Sequence, residues 1–179
     1  LLVALDRAFD QRSWHGTNLR GALRNVSFDE AEWRPAPARH CIAEHVFHAA
    51  YWKYTVRRRL TREKRGSFVM PGSDWFALPN PWNAQSWKLC VRVLADEHKA
   101  LRSVIAIGQR RDHAAQRFML VGQHAHKALR SVIAALTDRD LDKKERGRKV
   151  SLDELITGIA AHDLYHAGQI QLLKRLQRT

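Results

Sequence analysis

The sequence predicts an all-α chain, and three observations carry that prediction. Apolar residues recur at helical spacing in segment after segment; alternating, strand-like runs are sparse; and two Ser-x-x-Glu capping boxes, Ser27 to Glu30 and Ser151 to Glu154, each open a helical pattern. With 179 residues, 45% of them apolar, the chain has the size of one domain, 1–179, and enough apolar surface for a core.

A first helix is expected from Leu1 to Gln11, then a break at Trp14-His15-Gly16, where Gly16 supplies the freedom a turn needs, and a resumption from Asn18 to Asn25. The Ser27 capping box opens a short helix that must stop before Pro35 and Pro37. The second long helix spans Arg39 to Leu60, with Ile42, Val46, Ala49, Val56 and Leu60 on its apolar face. Some twenty residues without periodicity follow, Arg62 to Trp82, punctuated by Gly66, Pro71, Gly72, Pro79 and Pro81. Extended at about 3.3 Å per residue this stretch reaches on the order of 60 Å. A helix of about 22 residues is only about 33 Å long. The connection can therefore cross a whole bundle and let the second and third helices run parallel. The third helix begins near Asn83 and buries Trp87, Cys90, Val91, Leu94, Leu101 and Ile105; His98 lies in the same stripe, as a core histidine or as a pocket-lining, substrate-binding one.

The last helix, from Ser151, carries the chemistry. Leu152, Leu155, Ile159, Ile170 and Leu173 form one stripe, and His162 and His166 sit in its middle. Residues at i and i+4 lie one above the other, so both imidazoles can close on one divalent ion. Without an ion, two buried polar rings would each need a partner or cost about 1–3 kcal/mol. Asp163, beside the first of them, is placed to orient a histidine or accept a proton, as a catalytic residue, or merely to cap a polar neighbour. His15, next to Trp14, is either a substrate-binding residue at the pocket mouth or an exposed turn histidine. The thirteen residues after His166 contain no His, Asp, Glu or Cys, which disfavours a zincin protease whose third ligand lies downstream. The remaining ligand must come from upstream, where Glu44-His45-Val46-Phe47-His48 offers two. On a helical wheel His45 lies about 30° from the apolar centre and His48 about 90°, so pattern alone selects His45.

One feature disturbs a count of four helices. His98 to Ala106 recurs letter for letter at His126 to Ala134, an offset of 28 residues, and Arg111-Asp112 recurs as Arg139-Asp140. This is an internal duplication, with the added copy at about 107–134. The polar Gly108 to His113 reads as a loop that lets the second copy add a helical segment. Fusion of the copies into one long helix, or exchange of elements within a homodimer, are the alternatives.

Lys and Arg outnumber Asp and Glu by 31 to 18, a net charge of +13 that favours anionic small molecules. The cations are scattered, with Arg57-Arg58-Arg59 at a helix end and Lys143-Lys144 and Arg146 to Lys149 in a loop, and no aromatic-interleaved basic ribbon appears; specific nucleic-acid binding is not expected. Cys41 and Cys90 are isolated, which argues against a disulfide framework or a cysteine zinc site and for a reducing compartment. No apolar run reaches 18 residues and the first residues mix Asp6, Arg7 and Asp10 into an amphipathic pattern, so no membrane association is expected and the cytoplasm is the expected location.

Cys41 to Lys53, ending His48-Ala49-Ala50-Tyr51-Trp52-Lys53, together with Ser13-Trp14-His15-Gly16 and His162-Asp163-Leu164-Tyr165-His166-Ala167-Gly168-Gln169, resembles the DinB/YfiT-like metalloenzyme superfamily over nearly the whole chain apart from the duplicated insert. The resemblance implies an up-down-down-up four-helix bundle and a three-histidine metal site, one ligand from the second helix and two from the fourth. Matched on Ala49-Ala50-Tyr51-Trp52, the ligand position falls on His48, so the implied set is His48, His162 and His166, with His45 as the alternate. It also implies either a hydrolase or a thiol S-transferase acting on a small molecule. The ion would activate water or a low-molecular-weight thiol. Zinc or nickel are the foremost candidates, since an all-histidine site suits several metals. The rival expectation is a non-catalytic metal-binding or assembly protein whose ion pins the helices together.

Overall fold

The computed structural model describes residues 1–64, 66, 68–114 and 150–178. Among them are six helices and no strand: α1 (Leu2–Phe9), α2 (Leu19–Ala22), α3 (Phe28–Glu32), α4 (Ile42–Thr61), α5 (Ala84–Ala114) and α6 (Leu152–Leu176). Both serine capping boxes form, Ser27 with Glu30 and Ser151 with Glu154. A third forms where Glu44 reaches back to the backbone N–H of Cys41 at the start of α4. Asn18 caps α2 by accepting from the Gly21 N–H, and the expected Asn18 to Asn25 helix shortens to a single turn.

Contacts between side chains set the sense of the long helices. On α4 and α5, Cys90 lies against the carbonyl of Ala43 and Arg57 pairs with Glu97, so both numbers rise together and the two helices run the same way. On α6 the order reverses, His45 meeting His166 and His48 meeting His162. Helix α1 opposes α5, with Asp6 bonded to Arg102 and Phe9 stacked on His98.

The core divides into two apolar clusters along these helices. One contains Phe9, Val46, Phe47, Ala50, Leu94 and Ile170; the other contains Leu5, Val56, Leu60, Leu101, Ile156 and Ile159. Four of the helices also bury a polar residue: Asp6 from α1, Lys53 from α4, His98 from α5 and Asp163 from α6. Burying a charge without a partner is costly, so this layer must be internally paired, and it lies directly beside the histidines.

The crossover from α4 to α5 returns along the outside of α4. Arg62, in the left-handed region at φ 56°, ends the helix; Tyr54 then donates to the Gly66 carbonyl. Phe68 and Phe76 bury against Tyr51 and Phe47, and the Trp82 indole N–H reaches the Phe28 carbonyl. The segment thus crosses the length of α4, as its reach requires for two parallel neighbours.

The expected loop at Gly108 to His113 is not observed; α5 continues helically through these residues to Ala114. One helical glycine costs only about 1 kcal/mol relative to alanine, and the flanking Gln109, Arg110 and Arg111 are good helix formers. The second copy, His126 to Ala134, lies outside the described residues.

Candidate metal centre

His162 and His166 project from one face of α6 because they are one turn apart, and α4, antiparallel to it, supplies His48 opposite. Ligand nitrogens of His48, His162 and His166 all lie within 4.8 Å of one another. Nε2 of His162 is 3.1 Å from Nε2 of His48 and 3.0 Å from Nε2 of His166. A tetrahedral zinc with Zn–N bonds of about 2.0–2.1 Å separates its nitrogens by about 3.3 Å, within a few tenths of an ångström of these spacings.

The far side of each ring defines its state. His48 Nδ1 donates to the Asp74 carbonyl at 2.9 Å, and since a carbonyl only accepts, its Nε2 presents a lone pair to the cluster. His166 Nδ1 is 3.0 Å from Nδ1 of His45. His162 Nδ1 is buried without a partner. All four rings are held neutral, chiefly by burial and then by the charge each would feel from its neighbours: His45 and His162 are pushed down to about 4, His166 to about 2, and His48 is lowered against the opposing pull of Asp74. Neutral imidazoles converging through Nε2 contain more lone pairs than hydrogens to satisfy them, because the single His162 N–H can serve only one neighbour. The donor set therefore fits a divalent cation of the kind imidazole binds.

The structure brings together His48, His162 and His166 and gives His45 a different place. His45 is as buried as His48, at 7% exposure, but its ring backs His166 from the far side, the position from which an outer partner orients a ligand. Helical periodicity favoured His45 because it measures burial, and both histidines are buried. Asp163 does not turn to the histidines for its hydrogen bond. It is fully buried and ion-paired with Lys53, itself fully buried, while its other oxygen has no hydrogen-bond partner.

His98 and His15 are apart from the cluster. His98 stacks on Phe9 at 3.7 Å and is pushed down to about 3 by burial and then by the Lys53 and Arg102 charges. It lines a cavity of about 380 Å³ with Asp6, Asp96, Lys99 and Arg102. His15 is exposed, its ring near Trp14 and its Nδ1 3.4 Å from Ser13 Oγ. A larger groove of about 710 Å³, lined by Gly16, Asn18, Arg20, Arg24 and Gln171 among others, contains none of the three clustered histidines either. Cys41 and Cys90 are free and buried, and burial pushes the Cys41 thiol up to about 11, so neither offers a thiolate.

Lys53, Asp74 and Trp75, which surround the site, were missed in the sequence. Lys53 was visible there: Ile42, Val46, Ala49, Lys53, Val56 and Leu60 step by four and three, which places a lysine in the middle of the apolar stripe. The Asp74-Trp75 pair had no such signal, because the crossover lacks periodicity.

Among the described residues, fold and site define a helical architecture with a largely buried histidine cluster that could hold a metal ion. A sequence profile of the DinB superfamily matches residues 11–170, and the chain belongs to that superfamily. No curated protein and no solved structure gives a significant match. Among the described residues no helix is long and apolar enough to cross a membrane.

Proposed function

We propose that the chain is a metal-dependent enzyme of the DinB superfamily, a hydrolase or thiol S-transferase acting on a small molecule, built as an up-down-down-up four-helix bundle around a divalent ion on His48, His162 and His166. The observation that carries the reading is the convergence of three neutral imidazoles through Nε2, with the His48 tautomer imposed from outside. When bound, such an ion lowers the pKa of water toward about 7 or stabilises a thiolate. The chain's own residues do the rest. His48, His162 and His166 offer three ligands and so leave a coordination position for water or substrate. His45 orients His166, and the Trp52 and Trp75 rings beside the cluster restrict water. Half-buried His162 marks the side from which a small molecule reaches the centre. The net charge of +13 draws anionic substrates or a thiol cofactor toward the surface.

The burial of His166, 1% exposed, favours a second reading in which the ion serves only to hold α4 and α6 together. Metal analysis of the purified chain, followed by X-ray absorption and titration with low-molecular-weight thiols, separates the two. Three nitrogens plus an exchangeable oxygen or thiol sulfur support catalysis. A fourth protein ligand supports the structural role, and a chain that takes up no divalent metal refutes both.

A further inference from the structure

Asp74 and Trp75 bring the crossover segment against the histidine cluster. Asp74 accepts three interactions at once. Its carbonyl takes the His48 Nδ1–H at 2.9 Å, its Oδ1 lies 3.3 Å from the same nitrogen, and Oδ1 also accepts the Trp52 indole N–H at 3.0 Å. Its backbone is left-handed, at φ 68°, a region aspartate and asparagine tolerate better than most residues. Trp75 then lies flat between two imidazoles, 3.6 Å from the His40 ring at 4° and 4.1 Å from the His48 ring at 17°, with its edge toward His45. His40 is itself fixed, because its Nδ1 is 3.2 Å from the Glu44 carboxylate that caps α4 and binds Arg34.

We propose that Asp74 and Trp75 are positioning residues of the metal site: Asp74 locks His48 as the Nδ1–H tautomer with Nε2 free for the ion, and Trp75 clamps the plane of that ring. The crossover, which contributes no ligand, thereby decides whether α4 presents a competent one. A histidine's free nitrogen is set by the hydrogen bond its other nitrogen makes, and removal of such outer partners typically costs about 10- to 100-fold in metal affinity. The inference rests on the metal reading given above, and its test is arranged so that the two fail separately.

The first measurement needs no metal. Nitrogen-15 spectra of the labelled, metal-free full chain at about pH 7.5, above the unperturbed histidine range, distinguish the two tautomers of His48. The wild type and Asp74→Asn should show Nδ1–H alone, because asparagine keeps both the side-chain acceptor and the left-handed backbone. Asp74→Ala, which keeps the carbonyl but removes Oδ1 and disfavours the left-handed backbone that aims that carbonyl at His48, should show a mixture. The second is zinc affinity by chelator competition. Asp74→Ala should bind about 10- to 100-fold more weakly and Asp74→Asn within about threefold of wild type. Trp75→Leu should lose about 2- to 10-fold while Trp75→Phe, which keeps a stacked ring, recovers it. An unchanged tautomer and affinity in Asp74→Ala overturns the role of Asp74, as does an equal loss in Asp74→Asn with native circular dichroism, which would assign the effect to charge. Equal affinities in Trp75→Leu and Trp75→Phe overturn the role of Trp75. If His162→Ala binds zinc as wild type does, the metal site itself fails, and the tautomer measurement still decides what Asp74 does to His48.

Discussion

Replacing Lys53 with methionine probes the layer on which the histidine cluster rests. Lys53 and Asp163 are both fully buried and bonded to each other, and burial pushes the lysine amine down and the aspartate carboxyl up while their mutual charge opposes both shifts. Methionine keeps most of the volume and removes the cation, leaving a carboxylate whose second oxygen already has no hydrogen-bond partner. Breaking a buried pair from one side costs roughly 3–5 kcal/mol, since the remaining charge is uncompensated. At about 2–4 °C per kcal/mol for a chain of this size, the melting temperature of the metal-free protein should fall by about 6–20 °C. The double variant Lys53→Met/Asp163→Leu should recover most of that loss, because apolar replacement of both partners removes the charge as well as its pairing.

The pH dependence gives the sign. A carboxyl raised in the folded state binds more protons folded than unfolded, so the destabilisation of Lys53→Met is present above its folded pKa and relieved as pH falls through it. Comparing Lys53→Met with the double variant, both of which lack the Lys53 charge that helps to lower His98, His162 and His166, isolates the carboxyl from the histidine titrations. Calorimetric melting of the wild type, Lys53→Met, Asp163→Leu and the double variant between pH 7.5 and pH 5, chosen about the unperturbed histidine value, measures all of this. A Lys53→Met loss below about 1 kcal/mol, as for an exposed pair, would refute the reasoning. So would a double variant whose loss equals the sum of the singles.

Three further outcomes follow from the neutral histidines. Because His45, His162 and His166 titrate below their unfolded value of about 6.5, their contribution to stability is complete above that pH and is lost as pH falls from about 6.5 toward 4, by up to roughly 1.4 kcal/mol per pH unit for each ring; melting curves of the metal-free chain should show the loss setting in below pH 6.5. Zinc in excess should raise the melting temperature at pH 7.5 and chelator should reverse the rise; a chain equally stable with and without zinc would contradict the site. His48→Ala should abolish stoichiometric zinc uptake, whereas His45→Ala should keep the stoichiometry with an affinity about 10- to 100-fold weaker. The opposite pattern, in which His48→Ala retains full metal content and His45→Ala loses it, would exchange the two residues' roles.

What was legible in this sequence depended on whether a residue belonged to a periodic element. The α6 stripe is a plain example: Leu152, Leu155, Ile159, His162, His166, Ile170 and Leu173 step by three and four, so the helix and the inward aim of His166 follow from spacing, whereas the buried face is turned toward Ile156 and Asp163 and leaves Leu155 and His162 half-buried at its edge. Spacing also contained an unread message. Lys53 stands in the corresponding stripe of α4, and two opposite charges on two apolar stripes can be buried only if they meet, which joins α4 to α6 at that level before any coordinates are known. Periodicity failed where two residues shared a degree of burial but not a role. His45 and His48 are equally buried, and what separates them is the direction of a ring nitrogen, set by Asp74 on one side and His166 on the other.

Helix length was the other quantity that resisted reading. Gly108 and the polar residues after it carry the composition of a turn, yet propensity differences there amount to about 1 kcal/mol, and α5 continues through them. The crossover resisted for a different reason. Its length stated that it could travel back along α4, but nothing in Arg62 to Trp82 repeats, so no pattern distinguishes Trp75 from any other tryptophan. Its role emerges only from the company it keeps, flat between His40 and His48. The site thus combines two kinds of order: ligands delivered by helical repeat, and the orientation of one of them delivered by an aperiodic strand of chain. An exchange of crossovers between related chains should therefore alter metal affinity while leaving all three histidines in place, whereas an exchange of exposed residues on α4 should not.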